Sequence, residues 1–434
     1  MRDTQAPTFP GLPVSPPVTE APTGEARYET AHRTQIELIP TDLEGLLPPG
    51  HAARLVWRFV EGLDLSAFYT PIKAREGHAG RPPIDPKILI ALWLYATIDG
   101  VGSAREVARL CDAHDAYRWV RGGVSVNYHT LSDFRVGQQA ALDALLTQSI
   151  AVLLDRRVVT LHRLAQDGTK VRANAGVRSF RRGERLRECL TMARQQVARA
   201  QLQEAGAVPA REAAAAQRAA DERLARVEEA LAQLPAIEAV KRRNRSKSVP
   251  KASTTDPDAR VMKLSDGGYR PAYNVQFATD VDGQVIVGVD VTNVGSDQPA
   301  LIPMLDQVHR RTGRAPTEVV VDGGYVNTAS LVTAAARAVT VYAPVPKGDH
   351  GPGSGPDPDP AIVAWRTRMA TDEAKALYKT RAATAERINA DTRTHRGLTH
   401  IPVRGLPKIQ TWVLWIALAH NVLRAMAIVP HLMT

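Results

Sequence analysis

The chain has 434 residues, with 55 Lys and Arg against 45 Asp and Glu, for a formal charge of +10. That length carries two or three domains at roughly 150 residues each. The basic balance favours a polyanionic partner without identifying one. Two cysteines, Cys111 and Cys189, exclude a disulfide framework and a cysteine-based zinc site, and they suit a reducing cytoplasm.

Residues 1–34 are rich in Pro, Thr and Ala and lack apolar periodicity, which predicts a disordered leader without a secretory signal. A helical region follows over residues 35–155. Pro86 opens an apolar helix through Tyr95, Gly100 to Gly102 break it, and Ser103 to Glu106 predict a capping box. After Gly122-Gly123, short helical segments resemble a helix-turn-helix region that would present Asn127, His129, Thr130 and Arg135 to DNA. A plain helical bundle with solvated polar faces fits the same pattern.

A first strand is predicted over Val158–Asp167, ending in Asp167-Gly168. Leu186, Leu190 and Val197, then Leu224, Val227, Leu231 and Leu234, recur at helical spacing on either side of Gly206 and Pro209. They predict an antiparallel helical hairpin within an insertion of about residues 180–255. It ends in a basic run, a loop with Arg242, Arg243, Arg245 and Lys247 available to phosphates. Tyr273, Val275 and Phe277 alternate up to an Asp282-Gly283 turn, and Val285, Val287, Val289 and Val291 alternate after it, which predicts a β-hairpin. Helices are expected over Gln298–Thr312 and Asn327–Ala338, around a Val319–Val321 strand that ends in Asp322-Gly323-Gly324, and a further strand over Val339–Ala343. The fold class is therefore mixed α/β, in an order similar to an RNase H-like catalytic core over residues 156–430, interrupted by the helical insertion and preceded by an all-α domain. The apolar run Ile409–Ile428 is broken by Gln410, His420, Asn421 and Arg424, so a buried helix is expected rather than a membrane span.

Two aspartates at strand ends and a late helical Glu386 are the hard-oxygen set that two-metal phosphoryl transfer needs. Each acid alone has an ordinary explanation: Asp-Gly is common turn chemistry, and most helical glutamates are solvated. The motifs together are more specific. Residues 81–86, Asp167-Gly168-Thr169-Lys170-Val171-Arg172-Ala173-Asn174-Ala175, Thr255 to Arg260, Tyr273-Asn274-Val275-Gln276, Asp322-Gly323-Gly324-Tyr325 and the stretch from Tyr378 to Glu386 occur in one order. From about Gly80 to His420 the chain resembles bacterial insertion-sequence transposases of the DDE type.

The resemblance implies that Asp167, Asp322 and Glu386 are both catalytic residues and metal ligands. It implies Mg²⁺ as cofactor, two ions, with Mn²⁺ as a substitute. It further implies DNA as partner, both as the terminal inverted repeats and as the target, and cleavage followed by strand transfer without a covalent protein–DNA intermediate. Tyr378 and Arg381 match the family's Tyr and Arg on the last helix, and Arg393 stands near where a Lys is common. Glu386 falls one residue later than the family's Arg-to-Glu spacing, and one residue turns a helical side chain by about 100°. Lys170 and Arg172 are candidate phosphate contacts, as are Arg396 and Lys408. His162 is a further candidate, and Asp297 is expected to cap the helix after it. Pairing of two DNA ends suggests a homodimer, and a cytoplasmic, nucleoid-associated location is expected.

Overall fold

The structure, a computed structural model, describes residue 34 and residues 42–74, 82–203, 210–346, 352 and 358–428. The expected leader lies outside these residues apart from Thr34, as do Arg81, Gly206 and Pro209. One compact unit, Asp42–Thr434, holds every element described below.

Among the described residues, a 3₁₀ turn Glu44–Leu46 is followed by seven α-helices: α1 (Ala52–Glu61), α2 (Ser66–Tyr69), α3 (Pro86–Ile98), α4 (Ala104–Ala113), α5 (Asp115–Arg121), α6 (Tyr128–Gly137) and α7 (Gln139–Asp155). Asp85 caps α3 by accepting the Lys87 N–H, with Pro86 in the first turn. The expected capping box on α4 is half formed. Ser103 accepts the Glu106 N–H, but the Glu106 carboxylate reaches forward to Arg109 at 2.5 Å. Gly122 and Gly123 turn the chain after α5 with φ of 56° and 80°, a region glycine enters freely.

The mixed sheet is built on β1 (Arg163–Arg172). A short pair, β2 (Phe180–Arg181) and β3 (Ala252–Ser253), closes the base of the helical insertion, α8 (Gly183–Gln203) and α9 (Ala210–Arg243). Arg194–Glu228 at 3.4 Å and Arg223–Gln196 at 2.9 Å bond in reverse order, so α8 and α9 run antiparallel as expected. Leu186, Ala230, Ile237 and Ala252 form a small apolar core of their own. The basic run is partly helical rather than all loop. Lys241 to Arg243 complete α9, and the Lys241 ammonium bonds Ser248 Oγ at 2.6 Å and the Val249 carbonyl at 3.2 Å.

Next come β4 (Arg260–Lys263), β5 (Tyr269–Asp280), β6 (Val285–Thr292), α10 (Leu301–Thr312), β7 (Glu318–Val320), α11 (Thr328–Ala336) and β8 (Thr340–Tyr342). The sheet order is β4-β5-β1-β7-β8, with β6 also paired to β5. β5 runs antiparallel to β1, while β7 and β8 continue in parallel. The β5–β6 hairpin forms where predicted, but its left-handed residue is Gln284 (φ 53°), not Gly283. Gly283 is needed for space, because a Cβ there would lie 2.3 Å from the Val158 carbonyl oxygen. Both faces of β6 are buried from Val285 to Val289, so its alternating valines do not mark one wet face.

Helices α12 (Pro360–Ala370), α13 (Asp372–Arg381), α14 (Arg387–His395) and α15 (Leu406–Ile428) finish the chain. Helix α15 is long and apolar enough to cross a membrane by length and composition only, and it is mostly buried, packed against β6, α3, α6 and α7. Trp415 Nε1 in α15 donates to the Arg135 carbonyl at 3.0 Å, and the Asn421 amide exchanges two 2.8 Å hydrogen bonds with the Ile286 backbone. One apolar core thus joins the helices before β1 to the sheet.

Candidate active site

Parallel pairing of β1 with β7 covers Arg163↔Glu318, Leu164↔Val319 and Ala165↔Val320, and then stops. Asp167 and Asp322 each lie two residues beyond the last pair. Residues two apart on a strand share a face, and paired strands sit about 4.8 Å apart. The two carboxylates are near enough for the Asp322 charge to act on Asp167, although Asp322 is not among the residues lining the cavity that holds Asp167.

Asp167 differs from the strand-end position expected for it. β1 runs on to Arg172, so Asp167 and Gly168 are mid-strand residues held on the other side by β5, opposite Phe277 and Gln276. Gly168 is not there to turn the chain. A Cβ on it would lie 2.2 Å from Gln276 Nε2 and 2.5 Å from Asp297 Oδ1. Gly168→Ala is expected to destabilise the fold by about 1–3 kcal/mol through overpacking, read as a lower melting temperature.

Asp322 caps the short 3₁₀ turn Gly323–Tyr325, its Oδ1 accepting the Gly324 N–H at 2.6 Å. Neither of these glycines has positive φ. Gly324 is needed because a Cβ would come within 2.9 Å of Asp322 Oδ1.

The third acid arrives on one continuous helical stretch made of α13, a π-helical turn Ala382–Glu386, and α14. The Arg381 guanidinium bonds Asp167 Oδ1 at 2.7 Å and Glu386 Oε1 at 3.3 Å, tying two of the three acids together. Asn389 Nδ2 donates to Asp167 Oδ2 at 2.9 Å. In α geometry a residue five places on lies about 140° round the helix. The i→i+5 bonding of a π turn absorbs the extra residue and returns it to the same face. The displaced spacing of Glu386 is therefore offset by the backbone.

Asp167, Glu386, Asn389, Lys170, Arg393 and Asp297 line one cavity of about 540 Å³. Burial pushes the Asp167 carboxyl above its usual range, Arg381 pulls it down, and Asp322 pushes it up again. Burial works against the Arg381 charge, but Asp167 and Tyr378 beside it outweigh burial and raise its pKa. Tyr378 has its phenol pKa raised, mainly by burial, with Asp322 and Asp167 adding to the effect.

Beneath the acids lies a layer of amides. Asp297 Oδ1 accepts from Asn274 Nδ2 at 2.6 Å and Gln276 Nε2 at 2.7 Å. Tyr325 donates to Gln276 Oε1 at 2.5 Å, and Gln166 Nε2 bonds the same oxygen at 3.3 Å. Asp297 is thus not the expected helix cap, since α10 begins at Leu301 after Ala300 and has no side-chain cap. Sequence reasoning singled out Asn274, Gln276 and Tyr325 within motifs but gave them no role, and it missed Asn389. The spacing of Asn389, three residues after Glu386 on a helical stretch, is a signal that could have found it.

Elsewhere the expected contacts divide. Arg135 is a correction: it is 6% exposed, bonds the Gly102 carbonyl and lies 4.9 Å over the Trp93 ring, so it is not offered to DNA. Asn127 caps α6 through the Thr130 N–H at 2.9 Å, leaving His129 exposed beside it. Arg396 is spent on the Ile98 carbonyl and sits 3.7 Å from Asp391. His162 lies 4.0 Å from Glu318, away from the lining of the cavity. Arg172, Arg243, Arg245, Lys247 and Lys408 are exposed, as is Arg242, which is 3.5 Å from Glu238.

The oxygen donors are hard and anionic, as Mg²⁺ requires, and Asn389 Oδ1 is buried without a hydrogen-bond partner next to Asp167. Among the described residues no three acidic, His or Cys side chains are grouped tightly enough to hold one ion. The Arg381 guanidinium holds the position between Asp167 and Glu386, so cation binding requires it to shift.

Residues 41–137 match the family described as Transposase domain (DUF772), and residues 246–422 match the Transposase DDE domain. The chain belongs to the DDE transposases of insertion sequences. Asp322 and Glu386 fall within the second match, while Asp167 lies between the two. Comparisons with curated proteins and with solved structures found no match.

Proposed function

We propose that the chain is a divalent-metal-dependent transposase that cuts DNA at element ends and joins them to a target, with Asp167, Asp322 and Glu386 as its catalytic carboxylates. The observation that carries this is the shared position of Asp167 and Asp322, two residues past the last β1–β7 pair, with Glu386 on the same cavity as Asp167. The α/β region over residues 156–430 is read as an RNase H-like core with its insertion at about 180–255. Residues 35–155 are read as a helical domain that contacts DNA.

Asp167, Asp322 and Glu386 would hold Mg²⁺, which supplies Lewis-acid stabilisation of the leaving oxygen and a more acidic attacking water. Lys170 and Arg393 on the cavity wall hold the phosphate oxygens. Asn389 orients the Asp167 carboxylate, and Arg381 exchanges its carboxylate partners for the substrate phosphate. In the first reaction a water oxygen forms a bond to phosphorus, the P–O3′ bond breaks, and a free 3′-hydroxyl is left at the element end. In the second that hydroxyl attacks a target phosphodiester, whose own 3′-oxygen leaves. Neither reaction needs a Ser or Tyr nucleophile.

The substrates are the terminal inverted repeats and target DNA. Bringing two ends together calls for a homodimer, in the cytoplasm at the nucleoid. Supplying precleaved element ends and a supercoiled target plasmid with Mg²⁺ separates transposase from simple nuclease. Covalently joined products are expected; no joining of the precleaved ends, from protein that does cut uncleaved ends, would reduce the reading to an RNase H-like nuclease.

A further inference from the structure

A second cavity, of about 550 Å³, opens at the far end of β1. Arg172 closes the strand, where its carbonyl accepts the Ile401 N–H at 2.9 Å and it bridges to His400. Asn174 Nδ2 donates to the Pro402 carbonyl at 3.2 Å, and Arg404 Nε donates to the Asn174 carbonyl at 3.2 Å. These bonds clasp residues 172–174 to residues 400–404 as one wall. Tyr269 and Arg270, at the start of β5, line the cavity with them.

The cavity collects Arg172, Arg270, His400 and Arg404. Asp266 answers Arg270 with contacts of 2.6 and 2.8 Å; the Gly268 N–H and then Arg270 hold its carboxyl below the usual range, with Arg172 adding to them. Among the described residues, Arg172 and Arg404 form no ion pair. Both are exposed, and Tyr269 is 68% exposed at the same opening. Unpaired guanidinium groups around a recess with a free aromatic ring suit a phosphodiester with its sugar or base against the ring. Asp167 and Arg172 are five residues apart on one strand, about 17 Å at 3.3 Å per residue. Five is an odd step, so the two side chains leave opposite faces of the sheet, and the recess lies outside the Asp167 cavity, at the end of the strand.

We propose that this cavity is a DNA-backbone site. It grips a phosphodiester outside the Asp167 cavity, through Arg172, Arg404 and His400, with Tyr269 against the adjoining nucleotide. It rests on the reading of the chain as a DNA-cutting enzyme and adds a backbone contact away from the carboxylates.

The test uses the full chain with Arg172→Gln and Arg404→Gln together, which removes both charges and leaves a side-chain donor at 404. Binding to a fluorescein-labelled 40-base-pair duplex is measured in EDTA from 50 to 300 mM KCl. Each lost phosphate contact shallows the salt slope by about 0.9, so the double variant is expected to lose roughly two units of slope. In the wild type, a neutral methylphosphonate at one linkage should weaken binding, and the same substitution should have no effect on the variant. A variant with the wild-type slope, from a wild type that binds with steep salt dependence, overturns this site alone. A wild type with no salt-dependent binding overturns the DNA reading and this site together.

Discussion

Replacing Asp167 by asparagine is expected to lower DNA cleavage by at least about 10²–10³-fold, the scale seen when one electrostatic partner of a transition state is removed. Binding of uncut DNA should stay within a few-fold of the wild type. Stability should move the other way. Burial holds the Asp167 pKa above its unfolded value even with Arg381 bonded to it, so the folded protein disfavours the charged form. A raised carboxylate contributes stability that is fully present below the unfolded pKa and lost as pH rises through the folded one. The asparagine side chain carries no such penalty. At pH 7 the variant should melt no lower than the wild type, and the wild type should lose ground to it as pH rises from about 3.8 through the raised pKa. A variant that melts much lower and loses DNA binding as well would mean that Asp167 is a structural member of the sheet. Circular dichroism melts across pH, run beside a cleavage assay, separate the two.

The second large effect concerns the π turn. If Ala382–Glu386 exists to return Glu386 to the face that meets Arg381 and Asp167, deleting the exposed Ala383 should convert it to plain α-helix. Glu386 then falls four residues after Arg381, on nearly the same face, and cleavage should survive within about 10-fold. Adding one alanine after Ala382 turns Glu386 a further ~100° away, and cleavage should fall about as far as in Glu386→Gln. Equal loss from the deletion and the insertion would show that the turn does not set the register of Glu386.

Much of this was legible because some signals are local. The Val319–Val321 run, the alternation on either side of Asp282-Gly283, the Asp85-Pro86 start of α3 and the leucine spacing of α8 and α9 each depend on a few adjacent residues. The structure carries all of them. What the sequence concealed depends on contacts between distant segments. Gly168 reads as a turn residue, yet its role comes from Gln276 and Asp297, more than a hundred positions away. Arg135 reads as a DNA contact, but α15 and Trp93 bury it. Asp297 looks like a helix cap because caps are common before helices, whereas two amides on β5 claim its carboxylate. The offset of Glu386 read as a departure from the family spacing, since a π turn leaves no mark in residue spacing alone.

The most direct measurement of the central claim is cleavage of DNA carrying the element's own terminal repeats, with Mg²⁺ and with EDTA, mapped to the nucleotide. Mg²⁺-dependent breaks at the repeat ends that leave 3′-hydroxyls, absent in EDTA, are the predicted result. Tight binding of that DNA with no cleavage in either Mg²⁺ or Mn²⁺ would contradict it and leave a DNA-binding regulator on a silent fold.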